Sequence, residues 1–248
     1  MSALVMPEIN SEFRLHVERV GSEQNPLLII DDFLLQPDLL RAQANASPPF
    51  VAQASDFYPG LRKPVTGNFP PLCLAALCPL IAAIFSLDNI HAHISLCAFS
   101  LTTTPSTQLR PIQSIPHIDT HNGDQFALVL YLFDQDYGGT SLYRHRSTGF
   151  ESITQARLQD YFRIVKQEVM AENKREFTYI NGDTPLFERI AQVEAKFNRA
   201  VVYRSNQLHS ADITAATSLS TQPLNGRLTL NAFFQFCPKR TIKLKKVT

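Results

Sequence analysis

The run Phe126 to Phe133, FALVLYLF, constrains the fold more than any other stretch, because every position in it is apolar. A strand of this kind belongs between two sheets or between a sheet and a helix, so it sits at the centre of the molecule. It is preceded by PHIDTHNGDQ and followed by DQDYGGTSLY, in which Gly138-Gly139 marks a turn before an extended segment restarts. His117 and Asp119 are two residues apart, so in an extended chain both side chains leave the same face. An imidazole and a carboxylate converging on one point are two thirds of the facial triad that holds non-haem Fe(II), which makes a second histidine the residue to find.

The chain has 248 residues, 44% of them hydrophobic and 18% charged, an ordinary balance for a soluble globular protein with a sizeable core. A net charge of +1 leaves no global field to draw in nucleic acid or an anionic membrane, so a small or locally recognised substrate is expected. The opening residues show no basic region followed by an apolar run, and Glu8 and Glu12 lie where a leader is basic; the reading is cytoplasmic. The apolar run Leu72 to Leu87 is short for a bilayer and carries Pro79, as a buried, broken helix would. Cysteines 73, 78, 97 and 237 lack zinc-site spacing and read as reduced, buried thiols.

Along the chain, NPLLIIDDFLLQPDLLRAQA reads as strand, loop and helix, with Pro37 set to open the helix. The stretch PPFVAQASDFYPGLRKPVTGNFPP reads as an irregular surface loop, in which Arg62 and Lys63 either meet an anionic substrate group or are simply solvated. Ile90 to Leu101 alternates as a strand and puts His91 and His93 on one face, as a rival metal clamp or as strand-margin histidines. Ile153 to Lys174 has helical spacing, with Leu158, Phe162, Val165 and Val169 near one face. Strands return at Arg189 to Ala195, Arg199 to Ser205 and Arg227 to Phe236. His209 follows the second of these after a polar link. His121 and His145 read as loop or surface residues, and the lysines from 239 onward as a solvated tail.

Taken in order, His117-x-Asp119, His209 and Arg227 resemble the motif of the Fe(II)/2-oxoglutarate-dependent dioxygenases, especially the prolyl-4-hydroxylase-like branch. The likeness extends to Tyr131-Leu132, to Gly138-Gly139, to AKFNRAVVY at 195–203 and to the early FLLQPDLL. It implies His117, Asp119 and His209 as iron ligands, with three coordination positions left for 2-oxoglutarate and O2. It also implies Arg227 as the anchor of the cosubstrate's distal carboxylate, through a planar two-pronged contact, with Tyr131 as a second contact. Gln113 stands where the branch often has a tyrosine facing the cosubstrate's other end. His209 and Arg227 are eighteen residues apart, wider than is usual in that branch, so the loop from Ala211 to Gly226 must bulge.

The fold implied is mainly β with flanking helices: a double-stranded β-helix, the cupin-like jelly roll. One domain is expected over 1–248, with an N-terminal helical and loop region at 1–90 packed on the core. The core spans 91–236 with a helical insertion at about 147–187, and a basic tail follows at 237–248. The implied activity is hydroxylation or a related oxidation of an amino acid, a peptidyl residue or a small metabolite, with no nucleic acid or membrane partner. The insertion serves as a lid or as a homodimer surface. Two rivals stay open: a cupin-like metalloenzyme that uses no 2-oxoglutarate, and a non-catalytic jelly-roll module that binds a ligand or partner.

Overall fold

The computed structural model describes residues 7–53, 57–88, 90–171 and 177–238, so the basic tail lies outside the described residues from 239 onward. The strands are β1 (Arg14–Val20), β2 (Asn25–Asp31), β3 (Gly60–Pro64), β4 (Ile90–Thr102), β5 (Gln125–Tyr131), β6 (Thr140–His145), β7 (Phe187–Val193), β8 (Ala200–Arg204), β9 (His209–Ala211) and β10 (Leu228–Pro238). Helices α1 (Asp38–Asn45) and α2 (Phe69–Ile84) precede β4, and α3 (Leu158–Ala171) lies between β6 and β7.

These strands form a seven-stranded sheet in the order β1-β2-β8-β5-β10-β4-β3 and a three-stranded sheet in the order β7-β6-β9, every pairing antiparallel. An isolated bridge from His117 to His209 adds His117, eight residues before β5, to the free side of β9. From β4 onward the partners nest: β4 with β10, His117 with β9, β5 with β8, and β6 with β7. This folded-back ribbon, shared between two facing sheets, is a double-stranded β-helix.

The two faces of β5 show why FALVLYLF has no polar position. Phe126, Leu128, Leu130 and Leu132 pack outward against α2 through Phe69, Leu77 and Ile81 and beside Leu28, Ile30, Leu230 and Phe234. Ala127, Val129, Tyr131 and Phe133 pack inward, against Leu142 and Val193 of the small sheet and beside Val201 and Tyr203. In α2, Phe69, Cys73, Leu77 and Ile81 recur every four residues, so one stripe meets the sheet while Pro79 is tolerated inside the helix. No described helix is long and apolar enough to cross a membrane. The four cysteines are free, Cys73 buried and the others half-buried.

Several local readings need correction. The Pro- and Gly-rich stretch before α2 contains β3, an edge strand on β4, where Pro64 at its end costs no ladder bond. Lys63 on β3 is 3% exposed rather than solvated, and its ammonium donates to the carbonyls of Gln43, Ala44 and Ala46, neutralising the C-terminal end of α1. β1 is an edge strand, exposed along most of its length, and its apolar Leu15 and Val17 are each 37% exposed. In α3 the buried stripe runs through Tyr161 and Val165, whereas Phe162 is 47% exposed. His145 is not a surface residue: it is fully buried, with one ring nitrogen 2.9 Å from Thr148 Oγ1 and the other 2.8 Å from Glu168 Oε2 on α3.

Candidate metal centre

Backbone pairing places the three side chains before any metal is invoked. His117 N–H donates to the carbonyl of His209 and His209 N–H to that of His117, both at 2.9 Å, so two rings meet across one bridge with centroids 4.3 Å apart. Asp119 N–H donates to the carbonyl of Ser205 at 2.9 Å, which fixes the carboxylate to the end of β8. The ligand atoms of His117, Asp119 and His209 all lie within 4.8 Å of one another, and no other group of His, Cys, Asp and Glu is gathered this way among the described residues.

The tautomer of His209 follows from its partner. Nδ1 lies 2.9 Å from the carbonyl of Gln207, which can only accept, so Nδ1 carries the proton. Nε2 is then a lone-pair donor, 3.6 Å from Asp119 Oδ2. Orientation of a ligating imidazole through its other nitrogen is the usual support of a metal site.

The site lies where the segment between β4 and β5 meets β9 and the end of β8. Residues 117 and 119 are exposed there, but the Asp119 and His209 side chains are only 15% and 7% accessible. Desolvation lowers His117 to a pKa of about 4, helped by His209 and Arg62 and opposed by Asp119. His209 falls to about 4 for the same reason, against the pull of the Gln207 carbonyl. Burial raises Asp119 to about 6, opposed by the charges of His117 and Arg62. At neutral pH the set is therefore two neutral imidazoles and one carboxylate. That donor chemistry fits a divalent first-row ion, which would also compensate the desolvated carboxylate.

On the inner face of the large sheet a row runs across three neighbouring strands from Tyr131 to Thr229 to Ser100, and on to Arg62 of β3. Arg227 immediately precedes β10 and is 3% exposed. Its Nε donates to the carbonyls of Tyr137 and Gly138, both at 3.2 Å, and its Nη2 to that of Gly139 at 2.7 Å. Nη1 has no hydrogen bond, and the guanidinium no ion pair, among the described residues. A buried cation met by carbonyl dipoles and the rings of Tyr131 and Phe133, with no carboxylate paired to it among the described residues, is a place where an anion is favoured. The Tyr131 hydroxyl donates to Thr140 Oγ1 at 2.7 Å, its ring centre lies 6.0 Å from the Arg227 guanidinium carbon, and burial pushes its pKa up to about 12.

Gln113 sits in a short 3₁₀ turn. Its carbonyl oxygen accepts from Arg110 N–H at 2.8 Å and its amide donates to the Phe57 carbonyl at 3.0 Å, so both ends brace the loop. His91 and His93 are exposed on β4 and gather no third ligand among the described residues. Sequence reasoning passed over Tyr203, which is buried with its ring 4.7 Å from that of His209. Burial raises its pKa, which the charge of Asp119 raises further and that of Arg227 opposes, and it packs in the same inner cluster as Tyr131. Its signal was the alternation in RAVVYRS, where Val201 and Tyr203 share the inner face.

A family model described as a family of unknown function (DUF6445) matches residues 11–234. Among curated proteins nothing matches. Among solved structures, HygX from Streptomyces hygroscopicus, with nickel and 2-oxoglutarate bound, is 13% identical, with coverage of 90% of this chain and 87% of that one and a TM-score of 0.48. A novel N-substituted L-amino acid dioxygenase from Burkholderia ambifaria is 10% identical over 90% and 94% of the two chains, with a TM-score of 0.36. An oxidoreductase of the 2OG-Fe(II) oxygenase family from Burkholderia pseudomallei is 10% identical over 87% and 71%, with a TM-score of 0.33.

Proposed function

The chain belongs to DUF6445, a family of unknown function, and from the chemistry of its site we propose that it is an Fe(II)- and 2-oxoglutarate-dependent dioxygenase. Its motif order is closest to the prolyl-4-hydroxylase-like branch, and its substrate is an amino acid, a peptidyl residue or a small metabolite. One observation carries the reading. His117, Asp119 and His209 are gathered in a double-stranded β-helix whose interior also holds a buried arginine with no ion pair among the described residues.

Those three side chains would hold the iron, which when bound supplies activation of O2 coupled to decarboxylation of 2-oxoglutarate to succinate and CO2. The chain's own part is positioning and electrostatics. Asp119 brings a negative charge whose burial is relieved by a divalent cation, and the two neutral imidazoles bind without first losing a proton. Arg227 offers Nη1 to the far carboxylate of the diacid while its other nitrogens stay on the turn. Tyr131 and Tyr203 wall the interior and keep water from that ion pair, which strengthens it. Gln113 contributes through the loop that it braces.

The test is anaerobic loading of the purified protein with Fe(II), followed by 2-oxoglutarate binding and then succinate release in O2 across amino acids, peptides and extracts. Stoichiometric iron, saturable 2-oxoglutarate binding and succinate formation, all lost in His117→Ala, are expected. Iron uptake with no 2-oxoglutarate binding or turnover would sink the proposal. A second reading, a cupin-like metalloenzyme using the same ligands without 2-oxoglutarate, is favoured by the three carbonyl contacts of Arg227, which would then serve only to hold the Gly138-Gly139 turn.

A further inference from the structure

A cavity of about 400 Å³ is lined by Gly123 and by the side chains of Glu23, Asn25, Ser152, Arg157, Arg204 and Asn206. It includes none of the three grouped ligands. It draws on the turn between β1 and β2, the loop before β5, the segment before α3, and the end of β8 with the turn that follows.

Its two cations are held rigidly. The Arg204 guanidinium carbon lies 5.0 Å from the ring centre of Phe85 and 5.1 Å from that of Phe126, and its Nη1 donates to the Gly123 carbonyl. Arg204 has no ion pair among the described residues; only Asp124 is near enough for its charge to be felt, and desolvation lowers the pKa of the guanidinium. Arg157 stacks 4.6 Å from the ring centre of Phe150 and donates to Glu23 and to the Ser152 carbonyl. The Glu23 carboxylate accepts from Arg157 and from Glu151 N–H at 3.4 Å through one oxygen and from Asn25 at 3.2 Å through the other, so its charge is spent on Arg157 and Arg204 supplies the positive excess. Asn206 is 3% exposed, its Oδ1 has no hydrogen-bond partner, and its Nδ2 lies 3.8 Å from where a side chain at Gly123 would begin. The cavity thus offers hydrogen-bond donors from Arg204, Arg157 and Asn206 Nδ2, an unpartnered acceptor in Asn206 Oδ1 to which a protonated phosphate oxygen can donate, and a positive charge on Arg204 met, among the described residues, only by that of Asp124.

We propose that this cavity is a second ligand site, independent of the metal centre, that takes a small tetrahedral oxyanion: inorganic phosphate or the phosphate group of a soluble phosphomonoester. Several donors converging from separate elements suit an anion with several oxygens better than a planar carboxylate, and aromatic-stacked arginines give up little side-chain freedom on binding it. Gly123 supplies the means of testing it. Its backbone is not in the left-handed region, and a Cβ there would sit 3.7 Å from Arg204 Nη1 and 3.8 Å from Asn206 Nδ2, in ordinary contact. Gly123→Ala should therefore fit, and Gly123→Asp should place a carboxylate between the two donors and occupy the site from within.

The experiment is titration of the full chain with inorganic phosphate, and in parallel with glycerol 1-phosphate, at constant ionic strength, followed by ³¹P line width and by thermal melting. Saturable binding by the wild type and by Gly123→Ala, weakened at least about tenfold in Gly123→Asp with an unchanged or raised Tm, is expected. Whichever ligand saturates at lower concentration identifies the source. No saturable binding by the wild type up to about 50 mM of either ligand would overturn the proposal. Undiminished binding by a folded Gly123→Asp would also overturn it.

Discussion

Replacing Arg227 by Met separates the two roles its geometry gives it. The side chain is 3% exposed and holds the carbonyls of Tyr137, Gly138 and Gly139 at 3.2, 3.2 and 2.7 Å. Hydrogen bonds to a charged donor contribute about 1.5–3 kcal/mol each, but burying the charge offsets part of that, so a net loss of about 3 kcal/mol is expected. For a chain of this size that lowers the Tm by roughly 6–12 °C. Losing an arginine contact to a buried carboxylate costs about 2–5 kcal/mol, which weakens 2-oxoglutarate by about 30- to 5,000-fold. Arg227 is not among the grouped ligands, so metal affinity should stay near the wild-type value. The assay is calorimetric titration of 2-oxoglutarate into Ni(II)-loaded protein at a temperature where circular dichroism shows both proteins folded. Arg227→Lys, which keeps the charge but cannot hold the turn carbonyls and reach the diacid at once, should fall between the two. Undiminished 2-oxoglutarate affinity in folded Arg227→Met would refute the anchoring role and leave the turn-holding one.

Three further outcomes follow from named contacts. Glu151, 1% exposed, accepts from Arg144 Nε at 2.8 Å, from both the N–H and hydroxyl of Ser22 at 2.9 Å and from Glu23 N–H at 3.0 Å; Glu151→Gln should cost about 3–5 kcal/mol in urea unfolding. Those hydrogen bonds hold the Glu151 pKa below its ordinary 4.5 despite burial, so its contribution is fully present above pH 4.5 and is lost as pH falls through the lower folded value; a wild-type Tm that does not drop in that window more than the variant's would refute the assignment. Gly138→Ala should lower the Tm or abolish folding, because the backbone there has φ +77° and a Cβ would lie 1.6 Å from the Asp212 carbonyl oxygen; a wild-type melting curve would show that the turn is wrongly placed. His209→Ala should weaken Ni(II) or Fe(II) binding by more than about a hundredfold in a chelator competition, with circular dichroism unchanged, and equal affinity would remove His209 from the ligand set.

What was legible in the sequence was whatever depends on local period. The two apolar faces of β5, the shared face of His117 and Asp119, and the four-residue stripe of α2 all follow from side-chain spacing within one element. What was not legible depends on partners far along the chain. Lys63 and His145 looked like surface residues because nothing near them in sequence announces the carbonyls at the end of α1 or the carboxylate of Glu168. β1 and β3 were missed for a related reason: an edge strand has no second apolar face to advertise, and charge or proline is tolerated there.

The metal centre lies between these cases. His117 and His209 are 92 residues apart, yet each donates its backbone N–H to the other's carbonyl, because nested strand pairing from β4/β10 inward brings the segment between β4 and β5 opposite the start of β9. Their proximity is thus a property of the whole topology. The ordered appearance of His117, Asp119, His209 and Arg227 carries information beyond the individual residues because that order is what nested pairing requires. It also explains why the long loop before Arg227 does no harm. Leu228 and Thr229 are fixed by register to Leu101 and Ser100 of β4, and Thr229 to Tyr131 of β5, so inserted loop residues do not move the arginine, two residues before Thr229, off the inner face. The substrate has no such constraint: the loops that would meet it are not tied to strand register, and their chemistry varies without disturbing the ligands.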